Sequence, residues 1–285
     1  MTPSASVRVA AASFRLAPVQ EFGTFTRNLQ VHLRHAADAG VQLVVFPEYL
    51  TSPLTYLDAR WEEWTHTYGV AMADLASHFQ MHLLGTHLHR TATGGVVNRA
   101  TLFAPGGGQV IQDKVHLTPW ERQNGLTAGS GLTLIDCLGT RLAILVCYDV
   151  EFPQLAAAAA QGGAEVLLVP SWTDDEAGFW RVRHCAHARC VENQVYVVHA
   201  PLIGGIPTLL DFETATGAAA VLSPCDVGYP ERGIVAQGGW DVEQIVIADL
   251  DLTLLRGLQV TGTVTPRRDA RPAGDCQVAG LATVV

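Results

Sequence analysis

Segments with strand-like and helix-like spacing of apolar residues alternate along most of the chain. Short apolar runs predict strands at residues 7–14, 41–46, 81–87, 142–146, 166–169 and 195–199. Apolar residues recurring every three or four positions predict helices at Phe22–Asp38, Trp61–Phe79, 152–161 and 176–192. This alternation indicates an α/β protein whose sheets are covered by helices.

The rest of the chain adds a hairpin and an end region. A turn of one proline and three glycines at 105–108 separates strand-like segments 96–104 and 109–112, which predicts a β-hairpin. The last third predicts strands at 218–222, 233–237 and 244–250 and a short helix at 252–258. No Pro/Gly/Ser-rich linker, charge block or repeat interrupts the pattern. We therefore expect one domain over residues 1–285, with a core at about 7–260 and a C-terminal tail at about 261–285.

Composition excludes several classes of protein. The formal net charge of −9 argues against a nucleic-acid-binding surface, which needs clustered Lys and Arg. No apolar run approaches the roughly 18 residues of a membrane span, and the N-terminus lacks the pattern of a signal peptide. Six irregularly spaced cysteines do not suggest a disulfide framework. We expect a cytoplasmic protein with reduced thiols and no nucleic-acid or membrane partner.

The predicted strand at 142–146 runs directly into Cys147. The polar residues Tyr148 and Asp149 follow, and Pro153 opens the next predicted helix. A cysteine between a strand and a helix is held at the rim of the sheet, with backbone N–H groups aimed beside it. The same position also suits a buried structural cysteine, because free Cys is among the most buried residue types.

Two other predicted strands end in charged residues. Glu48 follows strand 41–46, Lys114 follows strand 109–112, and Glu121 comes shortly after the lysine. Each of these could be a solvated surface residue. Together with Cys147, however, a glutamate and a lysine form the set that acyl transfer through a thioester needs. The carboxylate can accept the thiol proton, and the cation can stabilise the oxyanion that develops.

These motifs resemble those of the nitrilase superfamily of carbon–nitrogen hydrolases, over nearly the whole chain. The motifs are Phe46-Pro47-Glu48, residues 113–121, and Val146-Cys147-Tyr148-Asp149 with Phe152-Pro153, with a fourth similar segment at 188–198. Segments 179–183 and 223–226 resemble a poorly characterised bacterial branch that is amidase-like and sometimes fused to an acetyltransferase domain. We expect no such extra domain within these 285 residues. The resemblance implies a four-layer αββα sandwich, pairing of subunits through helices, and no metal or cofactor.

The resemblance also implies roles for individual residues. Glu48 matches the general base, Cys147 the nucleophile, and Lys114 the cation that stabilises the tetrahedral intermediate. Glu121 matches a second glutamate that holds the lysine and the substrate nitrogen. The backbone N–H of Tyr148 would complete the oxyanion site.

Further residues are candidates for the site. The resemblance also implies that Trp172, just past strand 166–169, lines the pocket. His184, His187 and Cys190 share one face of a predicted helix, but further ligands at zinc-site spacing are missing, so we expect no metal. The acidic run 174–176 suits the first turn of a helix. His87 and His89 alternate along a strand, and we expect them at a solvated edge.

The sequence therefore predicts a hydrolase that cleaves a non-peptide C–N bond of a small amide and releases an acid and ammonia or an amine. A nitrilase acting on a small nitrile is the alternative within the family, and a thiol-bearing scaffold or regulatory protein without turnover is the alternative outside it. The low charged fraction, 16%, and the resemblance predict a homodimer or larger homo-oligomer, with the 176–192 helix in the interface. The substrate depends on the loops at 51–64, 172–180 and 202–214, which the sequence alone does not shape.

Overall fold

The structure is a computed structural model that describes residues 6–19, 21–55, 61–207 and 212–270. The predicted C-terminal tail is therefore described only as far as Ala270, and Cys276 lies outside the described residues. The pocket loops predicted at 51–64 and 202–214 lie partly outside them as well.

The described residues form twelve strands and eight α-helices in an alternating order. The strands are β1 (Ser6–Leu16), β2 (Leu43–Val45), β3 (His82–Arg90), β4 (Val96–Phe103), β5 (Gln109–Asp113), β6 (Leu134–Cys137), β7 (Thr140–Ile144), β8 (Val166–Ser171), β9 (Tyr196–Gly204), β10 (Ala220–Leu222), β11 (Ile234–Gln237) and β12 (Gln244–Asp251). The helices are α1 (Phe22–Asp38), α2 (Ser52–Thr55), α3 (Trp61–Phe79), α4 (Pro119–Gln123), α5 (Pro153–Gln161), α6 (Glu176–Asn193), α7 (Leu252–Thr261) and α8 (Pro266–Asp269).

The strands form two halves that meet at β1 and β9. One half has the order β5-β4-β3-β2-β1-β12, and the other has the order β6-β7-β8-β9-β10-β11. The end of β1 pairs in parallel with the end of β9, from Phe14 with Leu202 to Leu16 with Gly204. Strands β1, β2 and β3 run parallel, as do β7, β8 and β9. Their carboxyl ends therefore collect at one edge of the molecule, where open α/β sheets bind ligands.

Side-chain alternation along β1 shows the layers. Ala10, Ala12 and Phe14 belong to the apolar cluster that includes α1 and α3, whereas Val9 and Ala11 belong to the cluster shared with the other half of the strands. In a strand, successive side chains point to opposite faces, so β1 separates a helix layer from the sheet–sheet interior. Residues of α5 and α6 pack on the second half. The four-layer αββα arrangement is confirmed.

The predicted elements appear within a few residues of their expected bounds, with additions. The structure adds strand β6 and the short helices α2, α4 and α8, the last within the predicted tail. The residues after β7 form a 3-10 helix, Cys147–Glu151, before α5 begins at Pro153. No helix among the described residues combines the length and apolar character needed to cross a membrane.

Candidate functional site

The structure brings Glu48, Lys114, Glu121 and Cys147 into one buried site at the carboxyl ends of the strands. Each follows a different element: Glu48 comes after β2, Lys114 after β5 and Cys147 after β7, while Glu121 lies in α4. Their exposed fractions are 1% for Glu48, 2% for Lys114, 1% for Glu121 and 5% for Cys147. Charged groups this deeply buried are stable only when they are paired and hydrogen-bonded.

The Lys114 ammonium is shared by the two carboxylates. Its Nζ donates to Oε1 of Glu48 at 2.7 Å and to Oε1 of Glu121 at 2.9 Å. Two carboxylates around one ammonium leave the cluster with a surplus of negative charge when all three groups are ionised. The remaining lone pairs must therefore be satisfied by other donors.

Asn98 and Tyr49 supply two of those donors, and sequence analysis missed both. Asn98 lies in the middle of β4 and is fully buried, and its Nδ2 donates to Glu48 Oε1 at 2.8 Å and Glu121 Oε1 at 3.1 Å. The Tyr49 hydroxyl donates to Glu121 Oε1 at 2.7 Å. A polar amide inside an apolar strand was the available signal for Asn98, and adjacency to Glu48 was the signal for Tyr49.

Glu121 is fixed from its other side by the start of its own helix. Oε2 of Glu121 accepts from the Thr118 backbone N–H at 2.8 Å and from its hydroxyl at 3.1 Å, while the Glu121 N–H donates to Thr118 Oγ1. This is a capping box, and Pro119 occupies the first helical position, where a missing N–H does no harm. The cap fixes Oε2, and both oxygens of the carboxylate lie 2.9 Å from Lys114 Nζ.

Cys147 has an uncommon backbone conformation. Its φ is 48°, in the left-handed region that costs a non-glycine residue energy, and such residues cluster at functional sites. The thiol donates to the Trp172 carbonyl at 3.3 Å and interacts electrostatically with the nearby Glu48 carboxylate. The Trp172 N–H donates to Oε2 of Glu48 at 3.0 Å, so one peptide segment holds both the thiol and the carboxylate.

Tyr148 and Asp149 shape the turn that presents Cys147. Tyr148 lies in the first turn of the 3-10 helix, where backbone N–H groups have no carbonyl partner earlier in the helix. The fully buried Asp149 carboxylate accepts from the backbone N–H groups of His116 at 2.7 Å, Val146 at 3.2 Å and Val115 at 3.3 Å. Asp149 therefore ties the segment after Lys114 to the nucleophile turn.

Burial and pairing set the protonation of the cluster. Burial raises the pKa of Glu48 more than Lys114 lowers it. Burial alone would lower the pKa of Lys114, but the two carboxylates raise it, so the ammonium stays charged. The pKa of Glu121 is lowered because the contacts from Lys114, Thr118 and Tyr49 outweigh burial.

An activated nucleophilic cysteine has a lowered pKa, but the surroundings of Cys147 have the opposite effect. Burial and the nearby Glu48 raise the pKa of Cys147 well above its usual value, although Lys114 acts to lower it. The resting cysteine is therefore a neutral thiol that needs a base at the moment of reaction. Glu48, which is held by the same Trp172 segment as the thiol, is the nearby carboxylate.

The cluster opens into a cavity of about 320 Å³. Aromatic rings of Tyr49, Trp120 and Trp172 line it, with ring centroids 5.7 to 6.0 Å apart in edge-to-face contact. The structure thus places Trp172 on the cavity wall. A cavity of this volume suits a small molecule rather than a folded polypeptide.

Other sequence-analysis candidates lie elsewhere. The His187 ring contacts the Gly233 carbonyl and Cys190 is buried, and across the described ranges no three His, Cys, Asp or Glu side chains gather as metal ligands. Asp175 caps α6 by accepting from the Gly178 N–H, as the acidic-turn interpretation predicted. The solvated-edge expectation was wrong for His87, which is buried behind Tyr68, and this burial lowers its pKa to about 3.

Comparison with known proteins shows what the chain is similar to. The family model of carbon-nitrogen hydrolases matches residues 10–259. The chain is 32% identical to "Probable hydrolase YhcX" of Bacillus subtilis over 93% of this chain and 54% of that protein. It therefore spans about half the length of that relative. It is 27% identical to the bovine "Omega-amidase NIT2", over 86% of this chain and 91% of that protein.

Solved structures share the fold. Nit3 of Saccharomyces cerevisiae, a member of branch 10 of the nitrilase superfamily, matches with a TM-score of 0.77 and 24% identity over 94% of this chain and 98% of that chain. The NitN amidase of Nesterenkonia matches with a TM-score of 0.75 and 21% identity over 93% and 96% of the two chains.

Proposed function

The chain belongs to the carbon–nitrogen hydrolase family, and we propose that it hydrolyses the C–N bond of a small amide through a thioester on Cys147. The observation that carries the proposal is that Glu48, Lys114 and Cys147 are all buried and line one cavity, with Lys114 hydrogen-bonded to Glu48. Relatives named as amidases support the amide as the substrate class. In two mutants of the Nesterenkonia amidase, acrylamide and the acetamide moiety of fluoroacetamide, respectively, add covalently to the active-site cysteine.

In the first half-reaction, Cys147 attacks the amide carbonyl. Glu48 accepts the thiol proton as Sγ bonds to the carbonyl carbon, and the C=O electron pair moves onto oxygen. The Lys114 ammonium and the Tyr148 N–H stabilise that oxyanion. Glu48 then gives its proton to the nitrogen, and the C–N bond breaks as the C=O bond forms again. Ammonia or an amine departs, and the acyl group remains on Cys147 as a thioester.

In the second half-reaction, water takes the place of the amine. Glu48 accepts a proton from water as the water oxygen bonds to the thioester carbon. The second oxyanion uses the same two donors, the C–S bond breaks, and the departing sulfur regains a proton from Glu48. The raised pKa of Glu48 suits a group that must accept and return a proton in each half-reaction.

The test of this proposal is trapping of the acyl group. Incubation with a slow amide or an activated ester should add one acyl mass, and peptide mapping should place it on Cys147. Steady ammonia release from an amide separates an enzyme from a scaffold, and a matched nitrile separates amidase from nitrilase activity. An adduct on Cys185 or Cys190 instead would overturn the assignment of the nucleophile.

We also propose that the protein acts as a cytoplasmic homodimer or larger homo-oligomer that uses α6. In support, Trp180 and Val191 on this helix are 38% and 43% exposed, which is a large apolar exposure for one helix face. Light scattering at micromolar concentration should give at least twice the 30.5 kDa chain mass. A monomer would contradict the proposed assembly and leave the proposed chemistry standing.

A further inference from the structure

We infer that the site selects amides whose remote end carries a positive charge, and that Asp174 is the residue that selects them. This inference rests on the proposed function, because it names the substrate class of the same cavity. The evidence is the distribution of charge along the cavity and its continuation beyond the catalytic cluster.

Carboxylates outnumber cations on the cavity wall. The acidic lining residues are Glu48, Glu121, Glu151, Asp174 and Glu213, and the basic ones are Lys114 and Arg181. Lys114 is already shared by the two buried glutamates. Arg181 donates through Nε to Glu151 at 2.9 Å, which compensates its charge. Asp174 and Glu213 are therefore the two lining carboxylates whose charge no lining cation compensates.

Asp174 differs from the acidic residues around it. Asp175 caps α6, Glu176 accepts from the Trp180 indole, and Asp241 accepts from Thr216 and Gly217. The Asp174 carboxylate has no hydrogen-bond or ion-pair partner among the described residues. Its backbone is nevertheless fixed, because its carbonyl accepts from the Thr214 hydroxyl at 2.9 Å.

A second cavity continues from this point. It has a volume of about 380 Å³ and shares Asp174 and Thr214 with the catalytic cavity. Its remaining charged lining is three acids, Asp175, Glu176 and Asp241, against one base, Arg15. A substrate that extends out of the catalytic cavity therefore passes Asp174 into a region of negative potential, which favours a cation.

The aromatic wall suits the same class of ligand. Tyr49, Trp120 and Trp172 present rings to the cavity, and such rings attract ammonium and guanidinium groups.

A matched series of amides tests the inference. The compounds 4-aminobutanamide, pentanamide and the monoamide of glutaric acid share one amide and one spacer and end in a cation, a methyl group and a carboxylate. A second series with a longer spacer covers the reach to Asp174. We expect kcat/KM for the cationic amide to exceed that for the neutral one by about tenfold, and the anionic amide to be the poorest. Added salt should shrink the difference, because exposed charges are screened.

Variants assign the preference to Asp174. Asp174→Asn should lower the cation-to-neutral ratio about fivefold, and Asp174→Lys should turn the preference toward the glutaric monoamide. Asp38→Asn removes the same charge from the exposed end of α1 and should leave the ratio unchanged. A preference for the anionic amide in the unmodified protein, or an equal effect of Asp38→Asn, would overturn the inference.

A binding measurement separates this inference from the proposed function. Calorimetry with Cys147→Ala reports affinity for the three amides without turnover, so the charge preference can be measured even if no amide is hydrolysed. Failure of the proposed function would appear as no ammonia release and no adduct on Cys147. Failure of the inference would appear as hydrolysis or binding that ignores the terminal charge.

Discussion

Two buried polar networks lie side by side in this fold, each built around one cation, and only one of them can do chemistry. Lys114 is 2% exposed and contacts two carboxylates beside Cys147. Arg183, on α6, is 4% exposed and donates to neutral acceptors: the His199 ring at 3.0 Å, Gln237 at 3.1 Å and the Ala218 carbonyl. The partners of the cation, rather than its burial, distinguish the two.

The pKa values move in opposite directions in the two networks. Burial lowers the pKa of Arg183 to about 10, whereas the carboxylates raise that of Lys114. The Lys114 network therefore holds its charge firmly and faces a cavity. In the Arg183 network, burial disfavours the charged guanidinium, and the hydrogen bond from Arg183 to His199 joins α6 to β9.

The second network even contains a serine–histidine pair, with Ser171 Oγ 2.8 Å from His199 Nε2. Arg183 Nε donates to His199 Nδ1, so Nδ1 carries the lone pair and the ring proton lies on Nε2. That nitrogen donates to Ser171 and cannot accept its proton. Ser171 is also only 1% exposed. Proximity of a nucleophile and an imidazole thus makes no catalytic site unless the tautomer and the access allow it.

The strongest test of this contrast exchanges the two nucleophile candidates for alanine. Cys147→Ala should lower amide turnover by at least about a thousandfold, because the covalent route is lost. Ser171→Ala should keep turnover within about fivefold and instead cost about 1–3 kcal/mol of unfolding free energy, because a buried His199 N–H loses its partner. Ammonia release and denaturant unfolding measure the two effects. Equal losses of turnover would contradict the assignment.

The second test exchanges the cations. Lys114→Arg should keep a reactive thiol and lose about a hundred- to a thousandfold in turnover, because a planar fork cannot replace a compact ammonium between Glu48 and Glu121. Arg183→Lys makes the reverse exchange at the other buried cation, and it should affect stability far more than turnover. Near-normal turnover of Lys114→Arg would show that Lys114 acts only as a distant charge.

Much of the fold was predictable because strong periodicity coincided with burial. In α1 the apolar residues Phe25, Leu29, Leu33 and Ala36 are buried, although Val31 is exposed, and the helix has the expected bounds. Strand β6 was not predicted because it is only four residues long and three of those residues are exposed or half-buried. His87 was placed at a solvated edge because the sequence did not reveal that α3 covers that strand.

The site residues that could be predicted are those that interrupt a sequence pattern, and the others are brought together only by the fold. Glu48, Lys114 and Cys147 interrupt apolar patterns at strand ends, and polar residues there signal chemistry. Asn98 was not predicted because β4 and α4 lie apart in the sequence, and only the fold brings its amide between two carboxylates. Asp174 was assigned to a helix start, and its position between two cavities depends on loop packing.

The third test asks whether Asn98 positions the base. Asn98→Asp places a third carboxylate against Glu48 and Glu121 with almost no change in shape, so we expect about a tenfold loss at neutral pH. The like charge should also move the acidic limb of kcat/KM to higher pH, which a purely structural defect would not do. Asn193→Asp, at a buried asparagine of α6 that donates to the Arg189 carbonyl, is the matched control. A limb that stays in place in Asn98→Asp would contradict the positioning role.

The smallest effect expected is the shape of the pH profile of the unmodified protein. Glu48 acts as a base only when deprotonated, and burial raises its pKa above the usual 4.5, so kcat/KM for a neutral amide should fall on acidification with a midpoint above pH 4.5. The pKa of Cys147 is raised above 9.0, so the thiol stays protonated and no loss is expected up to pH 9. His199 should add no inflection near pH 6.5, because burial, followed by Arg183, lowers its pKa well below that value. A profile that keeps full rate below pH 4 would mean that a preformed thiolate attacks without Glu48. The role of Lys114 would then be limited to stabilising the charge of the thiolate, just as the role of Arg183 is limited to stabilising the packing of α6.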